Sequence, residues 1–154
     1  MRQSTLCLLV RDDEILLAMK KRGFGAGKWN GYGGKPLDGE NIEQTALREM
    51  QEEIGVTVES ADLTKVACLE FYFKTKKEWD QEVSIFVARK WTSEPVETEE
   101  MKPQWFKFKE IPYDQMWPDD KYWLPKVLAG QKLEGEFYFN DDNTGFEKFD
   151  LREV

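Results

Sequence analysis

Glu49, Glu52 and Glu53 stand three and four residues apart in GGKPLDGENIEQTALREMQEEIGV, residues 33–56, a stretch that also carries Asp38, Glu40 and Glu43 against only Lys35 and Arg48. Spacings of three and four place side chains on one flank of an α-helix, where like charges repel. Such crowding is either a solvated face or a set of oxygen donors for a cation. Hard divalent ions such as Mg²⁺, with Mn²⁺ as a substitute, accept carboxylate and carbonyl oxygens, keep several waters and bind together with substrate phosphates. The chain contains no histidine. Histidine acid–base chemistry, Ser-His triads and His-ligated zinc are therefore excluded together, leaving carboxylate, hydroxyl and Lys or Arg chemistry.

A helix must present those carboxylates. Ile42, Ala46, Met50 and Ile54 recur every fourth residue, so residues 41–54 are expected to be helical, with Gly55 as the stop. On a helical wheel Leu47 joins this apolar arc, and Glu49, Glu52 and Glu53 occupy the adjoining one. One side can then pack on a sheet while the acids converge beside it. Ahead of the helix, Thr5–Val10 and Glu14–Lys20 are apolar runs divided by Arg11-Asp12-Asp13, a hairpin pattern, and the glycine-rich KKRGFGAGKWNGYGGK is a loop leading to a short strand near Trp29–Tyr32. After it, Lys65–Phe73, Glu82–Lys90 and Trp105–Phe108 are expected as strands. Pro118-Asp119-Asp120 before KYWLPKVLA suggests a capped second helix that Pro125 bends, and Gly135–Asn140 with Phe146–Leu151 around DDNTG forms a last hairpin.

Length and composition bound the rest. The 154 residues, 40% hydrophobic, fit one domain over 1–154 with a packed core. A net charge of −8 argues against a nucleic-acid polymer as partner, because such surfaces carry basic patches. No run approaches the roughly 18 apolar residues of a membrane span, and no targeting signal is evident at the start. Cys7 and Cys68 lie in apolar runs without metal-site spacing, as expected of buried free thiols in a reducing cytoplasm.

Gly34, Glu40, Arg48, Glu49, Glu52, Glu53 and Gly55 match the signature G-x5-E-x7-R-E-U-x-E-E-x-G-U, where U is bulky and apolar. Chance alignment of seven such positions is on the order of once in a hundred million frames at average residue usage, so the chain is identified by this resemblance as a member of the Nudix hydrolase family. Met50 departs mildly from the branched aliphatic usual at its position; Val56 fits. The resemblance implies an α/β fold, a mixed β-sheet sandwiched between α-helices, with residues 34–56 forming loop, helix and loop. It implies that Glu49, Glu52 and Glu53 ligate metal, with the Gly33 carbonyl as a further ligand. Arg48 would orient a glutamate by ion pairing, with Glu40 as partner, or make a plain salt bridge. Either Glu52 or Glu53 would accept the proton of the attacking water.

Beyond that box, MKKRGFGAGKWNGYGGK, PVETEEMKPQWF, WPDDKYW and the terminal LREV resemble the animal-type MutT homologues of the same family. That likeness implies that Glu100 approaches the metals, and that Thr5, Lys20, Asn30 and Phe71 line a base pocket, with Tyr32, Gly33, Gly34 and Lys35 nearby. The WPDD run, Trp117, Pro118, Asp119 and Asp120, has a physical logic of its own. An indole offers a stacking surface for a purine. Of two adjacent acids, one can accept from a base edge while the other, protonated by burial and its neighbour's charge, donates. Capping of the second helix is the other role open to either acid.

The implied reaction is Mg²⁺-dependent hydrolysis of an oxidised purine (deoxy)nucleoside triphosphate, such as 8-oxo-dGTP or 2-hydroxy-dATP, to monophosphate and pyrophosphate. Such a reaction sanitises the precursor pool, with the protein expected to act as a cytoplasmic monomer. The alternatives are another nucleotide substrate (a methylated or unmodified purine triphosphate, or a dinucleotide) and a non-catalytic nucleotide sensor.

Overall fold

The computed structural model describes residues 1–154 except Phe24 and Asn143. One residue each of the glycine-rich loop and the DDNTG turn thus lies outside the described residues. The strands are β1 (Arg2–Arg11), β2 (Glu14–Lys20), β3 (Trp29–Asn30), β4 (Leu63–Tyr72), β5 (Gln81–Ala88), β6 (Met101–Lys107), β7 (Leu133–Phe139) and β8 (Phe146–Glu153). The two α-helices are α1 (Ile42–Ile54) and α2 (Asp120–Leu128). The sheet runs β3-β2-β1-β5-β4-β7-β8, and β6 pairs with β2. It is mixed: β1 with β5 and β4 with β7 are parallel, and the other pairings are antiparallel.

Each helix covers one face. α1 lays Ala46, Met50 and Ile54 on Cys7, Leu9, Leu16 and Phe86, as its fourfold apolar spacing requires. On the opposite face Trp123, Leu124 and Val127 of α2 close a core with Leu8, Leu69, Ile85 and Phe137. α1 is set at both ends. Asn41 and Gln44 form a reciprocal capping box, and Gly55 ends the helix in the left-handed region at φ 71°.

Two expected strand boundaries and one expected cap differ from the structure. β3 stops at Asn30, and Tyr32 makes a single bridge to Cys7 instead of continuing it. β6 begins at Met101, four residues ahead of Trp105, because Met101–Gln104 pair along β2. Pro103 is tolerated there because β6 is an edge strand that needs no second partner. Asp119 precedes α2 but makes no capping bond; its carboxylate is engaged elsewhere. Both cysteines are free, Cys7 buried and Cys68 half-buried.

Candidate active site

Two glycines join the sheet to the acidic flank of α1. The segment after β3 lies along β1, with the Thr5 N–H donating to Gly34 O at 2.9 Å and the Gly34 N–H to Thr5 Oγ1 at 3.2 Å. On its other side the Gly33 N–H donates to Glu53 Oε1 at 3.0 Å. A Cβ on Gly33 would stand 1.8 Å from the Thr5 carbonyl oxygen, and one on Gly34 2.6 Å from the Glu49 carboxyl carbon. Only glycine lets backbone pass between β1 and those carboxylates.

Arg48 organises the same flank. Its Nε–H and Nη2–H donate to the two oxygens of Glu40 at 2.8 and 3.0 Å, and Nη2–H also reaches Lys35 O at 3.0 Å. Nη1–H donates to Glu49 Oε1 at 2.8 Å and to Glu52 Oε2 at 3.1 Å. Arg48, the Leu37 N–H and the Thr45 hydroxyl hold the Glu40 carboxyl down to about 2. The Arg48–Glu40 contact is therefore a bidentate fork within a network, more than a lone surface pair.

Glu53 is buried, and its Oε2 has no hydrogen-bond partner among the described residues. Burial, then the neighbouring Glu49 carboxyl, pushes its pKa up to about 8. A buried carboxylate with an orphaned oxygen beside a second carboxylate is a donor set that a divalent cation would satisfy. Glu49, Glu53 and, at the more exposed rim, Glu52 thus fit a hard cation, with the Gly33 backbone alongside. In the positions the side chains take here, no three acidic or Cys groups among the described residues are gathered into a ready cage. Arg48 draws Glu49 and Glu52 to itself.

The exposed side chain of Glu100 lies 3.6 Å from Arg22 as an ion pair. Its loop is tied to α1, since the Thr98 hydroxyl donates to Glu53 O at 3.1 Å.

A cavity of about 450 Å³ opens between the sheet and α2, a volume suited to a small organic ligand. Thr5, Lys20, Asn30, Gly33, Gly34, Lys35, Phe71, Trp117, Asp119 and Asp120 all line it. The two glycines are shared between this cavity and the acidic flank, so a ligand seated in it can extend past Gly34 toward the carboxylates. Asp119 and Asp120 are both buried, and Asp119 Oδ2 accepts from Trp123 Nε1 at 2.7 Å. Burial raises both acids, Asp120 the further because Asp119 repels its charge and accepts its hydrogen bond. Asp120 Oδ2 has no hydrogen-bond partner among the described residues. Burial and mutual repulsion favour retention of a proton by the pair, which would then offer one donor and several acceptors to a ligand.

Two expected pocket residues are not part of the wall. Tyr32 is fully buried in the core beneath α1, because its bridge to Cys7 turns it to the face that Cys7 and Leu9 share. Pro118 is the second residue of a turn closed by the Asp120 N–H on Trp117 O at 3.1 Å; it shapes the turn. Ser4, Leu6, Phe73, Gln81, Val83 and Trp123 line the cavity without having been singled out in the sequence. Period-two spacing from Leu8 and Ile85 and the i, i+4 step from Asp119 were the signals available for them.

Residues 1–127 match the family model described as the NUDIX domain. The chain is 46% identical to the oxidized purine nucleoside triphosphate hydrolase of Mus musculus over 153 residues, covering 99% of this chain and 96% of that protein. It is 49% identical to the protein of the same name from Danio rerio over 135 residues, 88% of this chain and 85% of that one. Among solved structures it is similar to the MutT protein of Bacillus halodurans, with a TM-score of 0.82 and 28% identity over 98% of this chain and 97% of that one. The glycine-joined flank of glutamates, the sheet that carries it and these likenesses agree: the chain belongs to the Nudix family of hydrolases.

Proposed function

We propose that this hydrolase converts an oxidised purine nucleoside triphosphate, such as 8-oxo-dGTP or 2-hydroxy-dATP, to the monophosphate and pyrophosphate with Mg²⁺. The single observation that carries the reading is the buried Asp119–Asp120 pair in a cavity whose rim, Gly33 and Gly34, is the surface on which Glu49 and Glu53 converge. A purine seated on Asp119 and Asp120 would direct its phosphates past Gly34 and Lys35. Asp120, raised by burial and by the Asp119 charge, would donate to a base acceptor while Asp119, steadied by Trp123, accepts. Exchanging that proton suits guanine-like and adenine-like oxidised edges alike. The names of the mouse and zebrafish proteins support the same substrate class.

Glu49, Glu52 and Glu53 would hold the cation, which supplies charge neutralisation at the phosphates and an acidified water. Arg48 keeps Glu49 and Glu52 on one flank, and the Gly33 N–H fixes one oxygen of Glu53. Glu53, enclosed and short of a partner, is placed to accept the proton of the water that forms the new P–O bond as the phosphoanhydride bond breaks. The net charge of −8 supports a small nucleotide over a nucleic-acid polymer, and two free thiols support a reducing cytoplasmic setting. Pyrophosphate release from 8-oxo-dGTP, 2-hydroxy-dATP, O6-methyl-dGTP and dGTP, each with and without Mg²⁺, tests the reading. Preferential turnover of the first two is the expected result; equal or greater turnover of dGTP overturns it.

A further inference from the structure

The cavity has a second polar group, set on the sheet across from the acidic pair. Ser4 of β1 and Gln81 of β5 lie on the face that Leu6, Val83 and Ile85 share, in adjacent parallel strands. The Ser4 hydroxyl donates to Gln81 Oε1 at 2.8 Å. With its oxygen held, the amide of Gln81 keeps its NH₂ for another acceptor. Arg2, paired with Gln81 in the same ladder, also lines the cavity, and its buried Nε has no hydrogen-bond partner among the described residues. A buried donor such as the Arg2 Nε is costly when left unmatched, on the order of 1–3 kcal/mol. These donors sit at the N-terminal ends of β1 and β5, and Ser4 adjoins Thr5, whose N–H meets Gly34 O at the exit proposed above for the phosphates.

A purine whose Watson–Crick edge rests on Asp119 and Asp120 turns its imidazole edge, which carries the sugar, toward that exit. We propose that Gln81, oriented by Ser4 and assisted by Arg2, is a specificity-determining donor that binds an oxygen at C8 of the purine. This rests on the substrate reading above and adds to it. The acidic pair reads the pairing edge and tolerates several bases, whereas Gln81 rewards the oxidation at C8 itself. Unoxidised dGTP, with hydrogen at C8, leaves the donors unmatched.

The test is the kcat/KM ratio of 8-oxo-dGTP to dGTP in wild type, Gln81→Leu and Ser4→Ala. 2-hydroxy-dATP, which has no C8 oxygen, serves as an internal control, and 8-oxo-GTP tests for a ribose 2′-hydroxyl as the acceptor. The ratio should fall about tenfold in Gln81→Leu, chiefly through KM, the equivalent of one net hydrogen bond of about 1.4 kcal/mol. It should fall less in Ser4→Ala, which frees the amide without removing it, while turnover of 2-hydroxy-dATP stays within about twofold. An unchanged ratio, an equal loss on all substrates, or a loss that follows the 2′-hydroxyl overturns the assignment. If wild type turns over neither oxidised purine, the substrate reading fails and this one with it; normal turnover with an unchanged ratio defeats the role of Gln81 alone.

Discussion

Tyr32 carries a buried hydroxyl with no hydrogen-bond partner, near the buried and equally unpartnered Oε2 of Glu53. Its ring fills the core beneath α1. Removing an unsatisfied buried hydroxyl while keeping the ring is neutral to stabilising. Tyr32→Phe should therefore leave stability unchanged or raise it by about 1 kcal/mol, measured by urea denaturation, with pyrophosphate release retained. A loss of more than about 1 kcal/mol would mean that the hydroxyl has a partner. Glu53 stands in contrast. Glu53→Gln keeps an acceptor for the Gly33 N–H but removes the base and a buried ionisable group. Turnover should drop on the order of 10² to 10⁴-fold while resistance to urea is kept or improved, the trade expected where an active site buries an ionisable group for function. Turnover within about tenfold of wild type would remove Glu53 from the chemistry.

At the scale of elements, the two glycines between β1 and α1 separate folding from catalysis. A methyl group at Gly33 meets the Thr5 carbonyl at 1.8 Å, backbone that cannot yield, whereas one at Gly34 meets the end of the Glu49 side chain. Gly33→Ala should destabilise by about 3 kcal/mol or more or fail to yield folded protein. Gly34→Ala should fold, with thermal stability close to wild type, but lose at least about tenfold in turnover because Glu49 is displaced by a group pressed into its place. Comparing the melting curve and pyrophosphate release of the two variants checks this; equal behaviour would contradict it. α1 itself was legible in the sequence because one period of 3.6 residues governs both its apolar arc and its acids, with Asn41 and Gly55 marking the ends. The β1–β2 hairpin was legible for similar reasons. What was not legible depends on long-range register. Nothing local says that Tyr32 pairs with Cys7 and so takes the face under α1, or that Met101–Gln104, with a lysine and a proline among them, extend β6 along β2. Nor does a polar Gln81 at a strand start announce a cavity wall; it faces Ser4 only because β1 and β5 lie side by side, 77 residues apart at that contact.

For the molecule as a whole, the buried acids make stability a function of pH with a definite sign. Asp119 is pushed from an ordinary 3.8 up to about 6 by burial, Asp120 is raised further, and Glu53 moves the same way. Where folded pKa values exceed unfolded ones, the folded chain holds protons that the unfolded chain has released, so stability falls as pH rises through the interval between them. That interval begins near 3.8 and, for Asp119, ends near 6, a shift on the order of 2–3 kcal/mol. Glu40 works in the opposite sense: its carboxyl, held down to about 2 by Arg48, contributes stability that is lost as pH falls toward that value. The two trends together predict a stability maximum at mildly acidic pH and a decline toward pH 8. Urea midpoints measured from pH 4 to 8 in a chelating buffer should trace that curve. The double variant Asp119→Asn, Asp120→Asn should flatten much of the decline, with Glu53 accounting for the remainder, because neutral amides have no proton to lose on unfolding. A wild-type profile that is level from pH 5 to 8 would mean that the acidic pair is solvated, and the proton-sharing account of base recognition would lose its physical basis along with it.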